Sequence, residues 1–335
     1  MQNLLFDQGN SPLIFRDLKW VDRVPHAVVE TVEDAAPSGR LSRVELSPGS
    51  FLGFSTVLPS IEAEGLSTER YCAGYSKALV EGVGFSVEPC PDSAVISKGK
   101  QCARCEARDE FSAMHGIHRG AALTPAAESY ASLEHWLYVA TFPDGTSKVG
   151  TTSLFSKPRR LDEQAVACAT YVAHATDGRQ VRIWEDLVSK EAGLVQVKQV
   201  RSKYKAWTSP LASSELSTAH EKAVSLATWT LQEAALFEDF IDEEQLMDEK
   251  WQPSLSMNRA YESLWAENPA PLNTYSSLLD SQQGFYFVGA TGKFAVVHFG
   301  NPDHAFLVNL AELQNRAILP HDSLTQEPQS QASLF

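Results

Sequence analysis

The sequence has few of the features that mark secreted or membrane proteins. Its first residues, Met1 to Asp7, have neither a basic start nor a sustained apolar core, so a secretory signal is not expected. No apolar run reaches the roughly 18 residues that a membrane span requires. Only 5 residues are cysteine. We therefore expect a cytoplasmic protein without membrane association, whose cysteines serve as thiols or metal ligands and not as a disulfide framework.

Basic residues are also scarce, with 28 Lys and Arg against 42 Asp and Glu and a formal net charge of −14. Such a chain repels a polyanion unless its basic residues gather in one place, so only a local basic groove could meet nucleic acid. The acidic residues cluster after a helical pattern. This cluster lacks the spacing and internal glycine of a calcium loop, which predicts a solvated acidic end. It contains Glu238, Asp239, Asp242, Glu243, Glu244, Asp248 and Glu249.

Length and hydrophobic patterning predict an α+β protein with more than one packed core. The chain has 335 residues, of which 43% are hydrophobic and 21% are charged, as in ordinary globular proteins. Strand-like and helix-like periods divide it into six segments. These are an N-terminal β-rich segment (1–66), a cysteine module (67–130), a central core (131–207), a helical segment with the acidic end (208–265), a β-meander (266–319) and a disordered tail (320–335).

The cysteine module has the spacing of a metal site. Cys102 and Cys105 form a C-x-x-C pair, which lets two thiolates of one tight turn bind the same ion. Cys72 and Cys90 lie upstream and could complete a tetrahedral set. Four thiolates at about 2.3 Å would hold a zinc ion with no open position, which makes such a site structural.

Other uses of these cysteines stay open at this point. His115 and His118 follow closely enough to form a Cys-Cys-His-His set, although their spacing is shorter than usual, and the chain could also bind no metal. A thioredoxin-like site is disfavoured because residues 97–101, which precede the pair, form a poor strand. Cys168 lies in an apolar strand pattern and is predicted to be an inert core thiol.

The clearest local signal is a β-hairpin in the central core. An aromatic and β-branched run at 136–142 is followed by the turn residues 143–145 and a return strand at 147–152. Arg160 then opens an apolar-periodic segment, and Glu185 lies within a helical pattern. We expect Tyr138 and Lys148 of the hairpin to converge with Arg160 and Glu185 on one face.

These residues resemble the core of the GIY-YIG nuclease superfamily, whose paired strands carry triplets at the positions of 137–139 and 148–150. More closely, the chain resembles the bacterial family of domain of unknown function 2797. The matching motifs occur in the same order from about Tyr71 onward. They are Cys72, Pro89-Cys90-Pro91, Gln101 to Cys105, the hairpin, Arg160 to Gln164, the helix of Glu185, Gln199-Val200-Arg201 and Gly289 to Phe294.

The resemblance implies a small mixed sheet with helices and a four-cysteine zinc site. It also implies that Tyr138 and Arg160 position a phosphate, and that Glu185 holds the Mg²⁺ or Mn²⁺ of a nuclease. Lys148 departs from the superfamily, which has a tyrosine there. A lysine can neutralise a phosphate, but its ammonium group is a poor base, which favours phosphate binding over hydrolysis.

The expected partner is therefore nucleic acid, DNA or RNA, bound through the central core. Basic residues near the core would supply the local positive charge that the whole chain lacks. The alternative is a non-catalytic module that binds a protein partner, with zinc and the core serving only stability. The basic residues are Lys157, Arg159, Arg179, Arg182, Lys198, Arg201, Lys203 and Lys205.

Overall fold

The computed structural model describes residues 11–56, 58–237, 241–265, 272–279 and 281–328, which form a mixed α and β protein. The strands are β1 (Leu13–Val21), β2 (Val24–Glu33), β3 (Ala36–Glu45), β4 (Phe51–Ser55), β5 (Arg70–Tyr71), β6 (Tyr75–Ala78), β7 (Phe85–Glu88), β8 (Val95–Ile96), β9 (His135–Thr141), β10 (Ser147–Ser153), β11 (Cys168–Ala175), β12 (Leu246–Lys250), β13 (Asn273–Thr274), β14 (Gln282–Thr291), β15 (Phe294–His298), β16 (Phe306–Asn309) and β17 (Arg316–Pro320). The helices are α1 (Leu58–Ala63), α2 (Ala103–Glu106), α3 (Pro125–Ala131), α4 (Arg159–Asp162), α5 (Gly178–Glu191), α6 (Val200–Thr208), α7 (Ser213–Phe237) and α8 (Asn258–Leu264).

Parts of four predicted segments lie outside the described residues: 1–10 and 57, 238–240 with Glu238 and Asp239 of the acidic end, 266–271 and 280, and 329–335 of the tail. Within the described ranges, no helix is both long and apolar enough to cross a membrane.

Strands from the two ends of the chain form one nine-stranded sheet, in the order β13-β16-β15-β14-β4-β17-β1-β2-β3. Strand β4 lies between β14 and β17, and β17 also pairs with β1. The predicted meander is present as the antiparallel run β14-β15-β16. The N-terminal β-rich segment and the meander therefore share a sheet, a long-range pairing that local sequence patterns do not encode.

The central core has its own four-stranded sheet, in the order β10-β9-β11-β12. The hairpin of β9 and β10 is present as predicted, with Gly150 opposite Tyr138 and Lys148 opposite Ala140. All the strand pairs of this sheet are antiparallel. The parallel component of the predicted mixed sheet is limited to one bridge between Lys148 and Val195 at the edge of β10.

Alternation along β9 determines what each face of the core sheet contacts. Leu137 and Val139 pack on one face against α5 and α7. Tyr138 and Ala140 point to the other face, into a core shared with the nine-stranded sheet. Because successive strand residues face opposite sides, the apolar run 136–142 is buried on both faces. The Tyr138 face thus lies between the two sheets.

The predicted helical segment with the acidic end contains a strand as well as helices. Helix α7 begins at Ser213 and is followed, after residues outside the description, by strand β12. In β12, Glu249 pairs with Tyr171 of β11 and its carboxylate lies 2.6 Å from Lys157 Nζ. The acidic end is thus in part an edge strand, because strand pairing and an ion pair outweigh the low strand propensity of its carboxylates.

The described part of the predicted disordered tail, residues 320–328, contacts the nine-stranded sheet. Pro320 is the last residue of β17. The backbone N–H of His321 donates to Gly53 O at 3.0 Å, and that of Thr325 donates to Gly284 O at 2.9 Å. These backbone hydrogen bonds position this stretch in spite of its polar composition.

His220 fastens α7 to the core sheet and makes stability depend on pH. Its Nδ1 lies 2.8 Å from Thr141 Oγ1 and its Nε2 lies 2.9 Å from Thr170 Oγ1. Burial lowers the pKa of His220 to about 4. Because the folded pKa is below the ordinary histidine value of about 6.5, the unfolded chain binds the proton more readily. The stability contributed by neutral His220 is therefore full above about pH 6.5 and is lost towards pH 4.

We expect the free energy of unfolding to fall by about 1–2 kcal/mol between about pH 7 and about pH 5 through this residue. Urea denaturation at the two pH values would measure the change, and the substitution His220→Gln should remove most of it. An unchanged pH dependence in His220→Gln would contradict this role.

Candidate functional site

The four predicted cysteine ligands come together in one cluster. The Sγ atoms of Cys72, Cys90, Cys102 and Cys105 all lie within 4.8 Å of one another, and those of Cys90 and Cys102 are 3.9 Å apart. Tetrahedral zinc–sulfur bonds of about 2.3 Å require sulfur atoms about 3.8 Å apart, so the cluster has the right size. The backbone N–H of Cys102 also donates to Cys72 Sγ at 3.1 Å. These thiols could hold a metal ion.

The Cys-Cys-His-His alternative for the cysteine module is not supported. Within the described residues, the only group of potential ligands gathered for a metal is this four-cysteine cluster. His118 instead has its Nε2 2.9 Å from a carboxylate oxygen of Asp186. Cys168 is a free thiol outside the cluster, and burial raises its pKa to about 12, as expected for an inert thiol.

Tyr138 is fully buried on the face of the core sheet that lies between the two sheets. Its ring lies over Gly150, where an added Cβ would be 2.5 Å from Tyr138 Oη. Glycine is therefore required at this position opposite the tyrosine. Among the described residues, Tyr138 Oη has no hydrogen-bond partner of acceptable geometry. A buried hydroxyl without a partner is costly, which makes it a candidate contact for a ligand.

Arg160 lies in the single turn of α4 and is exposed to solvent. Its pKa is raised, chiefly by the phenolic group of Tyr138, with further contributions from Glu163 and Glu185. These interactions place the guanidinium near Tyr138 and Glu185, two of the residues predicted to share a site with it. Arg160 nevertheless forms no ion pair within the described chain, whereas Arg159 pairs with Glu163 at 2.7 Å.

Asp162 fixes the turn that carries Arg160. It is fully buried, and its carboxylate accepts hydrogen bonds from Arg23 Nε at 3.0 Å and from Trp251 Nε1 at 3.1 Å. A second contact, from an Arg23 terminal nitrogen at 2.8 Å, makes the pair with Arg23 bidentate. Its backbone carbonyl also accepts from the N–H of Gly292 at 3.1 Å. Asp162 thereby ties α4 to the β1–β2 turn, to the end of β12 and to the β14–β15 turn.

Glu185 lies on α5, where it is only 5% exposed. Its Oε2 accepts a hydrogen bond from Arg182 at 2.6 Å, so this carboxylate is already paired with a cation. No second carboxylate joins it in a ligand group within the described ranges. The residues present therefore do not form a Mg²⁺ or Mn²⁺ site by themselves, because such ions need several oxygen ligands.

Lys148 is 5% exposed and approaches both Tyr138 and a buried amide. Its Nζ is 5.6 Å from the centre of the Tyr138 ring, 3.2 Å from Gln196 O and 3.5 Å from Gln164 Oε1. The same Gln164 oxygen accepts from Lys203 Nζ at 2.8 Å. Gln164 thus links buried Lys148 to Lys203. Burial lowers the pKa of Lys203 to about 7, assisted by Lys148, Arg160 and other neighbouring cations.

A cleft of about 240 Å³ opens beside Arg160 and Lys203. Its wall comes from β1, the cysteine module, the α4 region, α6 and the β14–β15 turn. The β14–β15 turn requires glycine at position 292. The φ angle of Gly292 is +57°, and a Cβ added to it would be 2.6 Å from Ala165 Cβ. The charged side chains of the cleft are five cations and two carboxylates: Lys19, Lys100, Arg160, Lys203, Lys293, Asp17 and Glu163.

Of the four predicted site residues, Tyr138 lies near both Lys148 and Arg160, and only Arg160 is exposed. Of the eight basic residues expected to make the core positive, only Lys203 lines the cleft. Five of the others pair with carboxylates: Lys157 with Glu249, Arg159 with Glu163, Arg179 with Glu128, Arg182 with Glu185 and Lys198 with Asp144. The sequence analysis did not identify Lys19, Lys100 and Lys293 as site residues, although Lys293 lies in the motif from Gly289 to Phe294.

No family model, curated protein or solved structure matches this chain.

Proposed function

We propose that the protein binds nucleic acid through Arg160 and the cationic cleft, and that the cysteine cluster holds a structural zinc ion. The position of Arg160 is the observation that supports nucleic-acid binding. Arg160 is exposed, has no ion pair in the described chain, interacts with Tyr138, and lines a cleft with four further cations. A guanidinium group in such a position suits a phosphate, which it can bind through two parallel hydrogen bonds.

The net negative charge of the chain is compatible with this proposal because positive and negative residues are not evenly distributed. The cleft has more cations than carboxylates, in a chain whose net charge is −14. A polyanion would be repelled from most of the surface and attracted to this cleft. Affinity arising from phosphate contacts must then fall as salt concentration rises, because each contact releases counterions.

A binding titration tests the proposal. Fluorescence anisotropy with labelled single-stranded and duplex DNA and RNA, at low and at moderate salt, should show saturable binding to at least one of them that weakens with salt. Absence of binding to all four would refute the proposal and favour a module that recognises a protein partner.

A second candidate function is hydrolysis of a phosphodiester at the same residues. The unpaired Tyr138 hydroxyl beside Arg160 favours it, since such a pair could position a phosphate for attack. Glu185 would have to exchange Arg182 for a divalent ion whose other ligands come from the substrate and water. Incubation of labelled nucleic acid with Mg²⁺ or Mn²⁺ tests this candidate.

If the protein is a nuclease, cleavage will require the divalent ion and will disappear in Glu185→Gln. The matched control is Glu191→Gln, which changes an exposed glutamate on the same helix. Binding without cleavage would leave the protein as a nucleic-acid-binding protein and reject this second function.

A further inference from the structure

The two carboxylates of the cleft are already paired, whereas three of its cations are not. Asp17 lies 2.7 Å from Lys293 Nζ and 3.5 Å from Lys19 Nζ. The other carboxylate, Glu163, pairs with an arginine outside the cleft. Lys100, Arg160 and Lys203 have no ion-pair partner within the described ranges. The cleft therefore presents three basic side chains without a carboxylate partner, which an anion could bind.

The basic side chains of the cleft are close enough to repel one another. Lys100 lines the same cleft as Lys19, Arg160 and Lys293. Lys203 on α6 faces Lys148 of β10, Arg160 of α4, Lys293 of the β14–β15 turn and nearby Lys198. An anion in the cleft would offset this repulsion, and would do so most effectively if it carried two charges.

Separate parts of the fold hold the cations in place. The carbonyl of Lys100 accepts a hydrogen bond from Ala73 N–H at 2.9 Å, which fixes the loop just before Cys102. Trp20 Nε1 donates to Gly292 O at 2.9 Å, which fixes the turn that carries Lys293. Hydrogen bonds thus hold the segments that carry the cleft's cations, and the cysteine module contributes Lys100 to the cleft.

We infer that this cleft binds a terminal phosphate of a nucleic acid, a phosphomonoester at the 5′ or 3′ end. The inference rests on the proposed function and adds a substrate class to it. A terminal phosphate carries nearly two charges near neutral pH, whereas an internal phosphodiester carries one, so three unpaired cations favour the former. The volume of about 240 Å³ also suits a single end group better than a continuous strand.

Oligonucleotides of one sequence that differ only at their ends test the inference. Binding is measured for strands with a 5′ phosphate, with a 3′ phosphate and with hydroxyls at both ends, each carrying the same label on an internal base. We expect one phosphorylated strand to bind about 10-fold or more tightly than the hydroxyl strand near pH 7. In Lys100→Ala and Lys203→Ala this preference should largely disappear.

The control substitutions remove the same charge outside the cleft. Lys98→Ala changes an exposed lysine of the same loop as Lys100, and Lys222→Ala changes an exposed lysine on α7. Both variants should keep the preference for a terminal phosphate. Equal affinity for all three strands would overturn the inference while leaving nucleic-acid binding intact. Absence of binding to any strand would instead reject the proposed function on which the inference rests.

Discussion

We expect that loss of the proposed zinc ion will unfold the part of the cysteine module around the four cysteines while the two large sheets stay folded. The part of the module around the cysteines has only a small interior, with Cys72, Ile96 and Cys105 at its buried centre, whereas a second cluster around Met114 and Ile117 is separate from it. Its strands form only two-stranded sheets, β5 with β8 and β6 with β7, which are marginally stable alone. Structural zinc contributes about 10–16 kcal/mol of apparent binding free energy in small peptides, enough to decide whether such a module folds.

Metal analysis and limited proteolysis of the variant Cys105→Ser measure this effect. Protein purified under reducing conditions should contain one zinc per chain, and Cys105→Ser should lose it and become cleavable within residues 72–110. The matched control is Cys168→Ser, whose thiol lies outside the cluster and should leave the zinc content unchanged. Wild-type protein without zinc, or Cys105→Ser with full zinc content, would contradict the structural role.

The substitution Arg160→Ala should weaken nucleic-acid binding by about 10- to 100-fold, because charge-assisted hydrogen bonds to a phosphate are among the stronger polar contacts. Folding should be nearly unaffected, since Arg160 is exposed and forms no ion pair in the described chain. Anisotropy titrations at several salt concentrations would measure both the affinity and its slope against salt. The magnitude of the slope of log affinity against log salt concentration should decrease by about one for each phosphate that the variant no longer binds, because fewer counterions are released.

Two further variants separate charge from geometry at this position. Arg160→Lys keeps the charge but loses the planar fork, so we expect an affinity between those of wild type and Arg160→Ala. Arg43→Ala removes an exposed arginine on β3, an edge strand of the nine-stranded sheet that does not line the cleft, and should bind like wild type. Equal weakening in Arg43→Ala and Arg160→Ala would mean that net charge, and not the cleft, determines affinity.

The hairpin and the cysteine cluster could be predicted because their signals are local. Aromatic and β-branched residues on either side of Pro143-Asp144-Gly145 specify a turn between two strands. The C-x-x-C pair predicts two ligands on one turn, and the structure brings Cys72 and Cys90 to them. The burial of Tyr138 and Glu185 could not be predicted from the order of elements.

The cleft could not be predicted, because its cations are far apart in the sequence. Lys19 and Lys293 meet only after β1 and β14 join the same sheet, and Lys100 arrives with the cysteine module. Likewise, nothing near Asp162 in the sequence indicates that it will bind Arg23 and Trp251. Strand β12 was missed because its carboxylates have low strand propensity, which tertiary pairing overrides.

The most direct test of nucleic-acid recognition by the cleft is a low-salt anisotropy titration of labelled nucleic acid with zinc-loaded wild type and with the double variant Arg160→Ala/Lys203→Ala. We expect saturable, salt-sensitive binding by wild type and no binding by the double variant, with zinc content and thermal stability preserved. Wild-type protein that does not bind, or a folded double variant that binds as tightly as wild type, would contradict the claim that this cleft recognises nucleic acid.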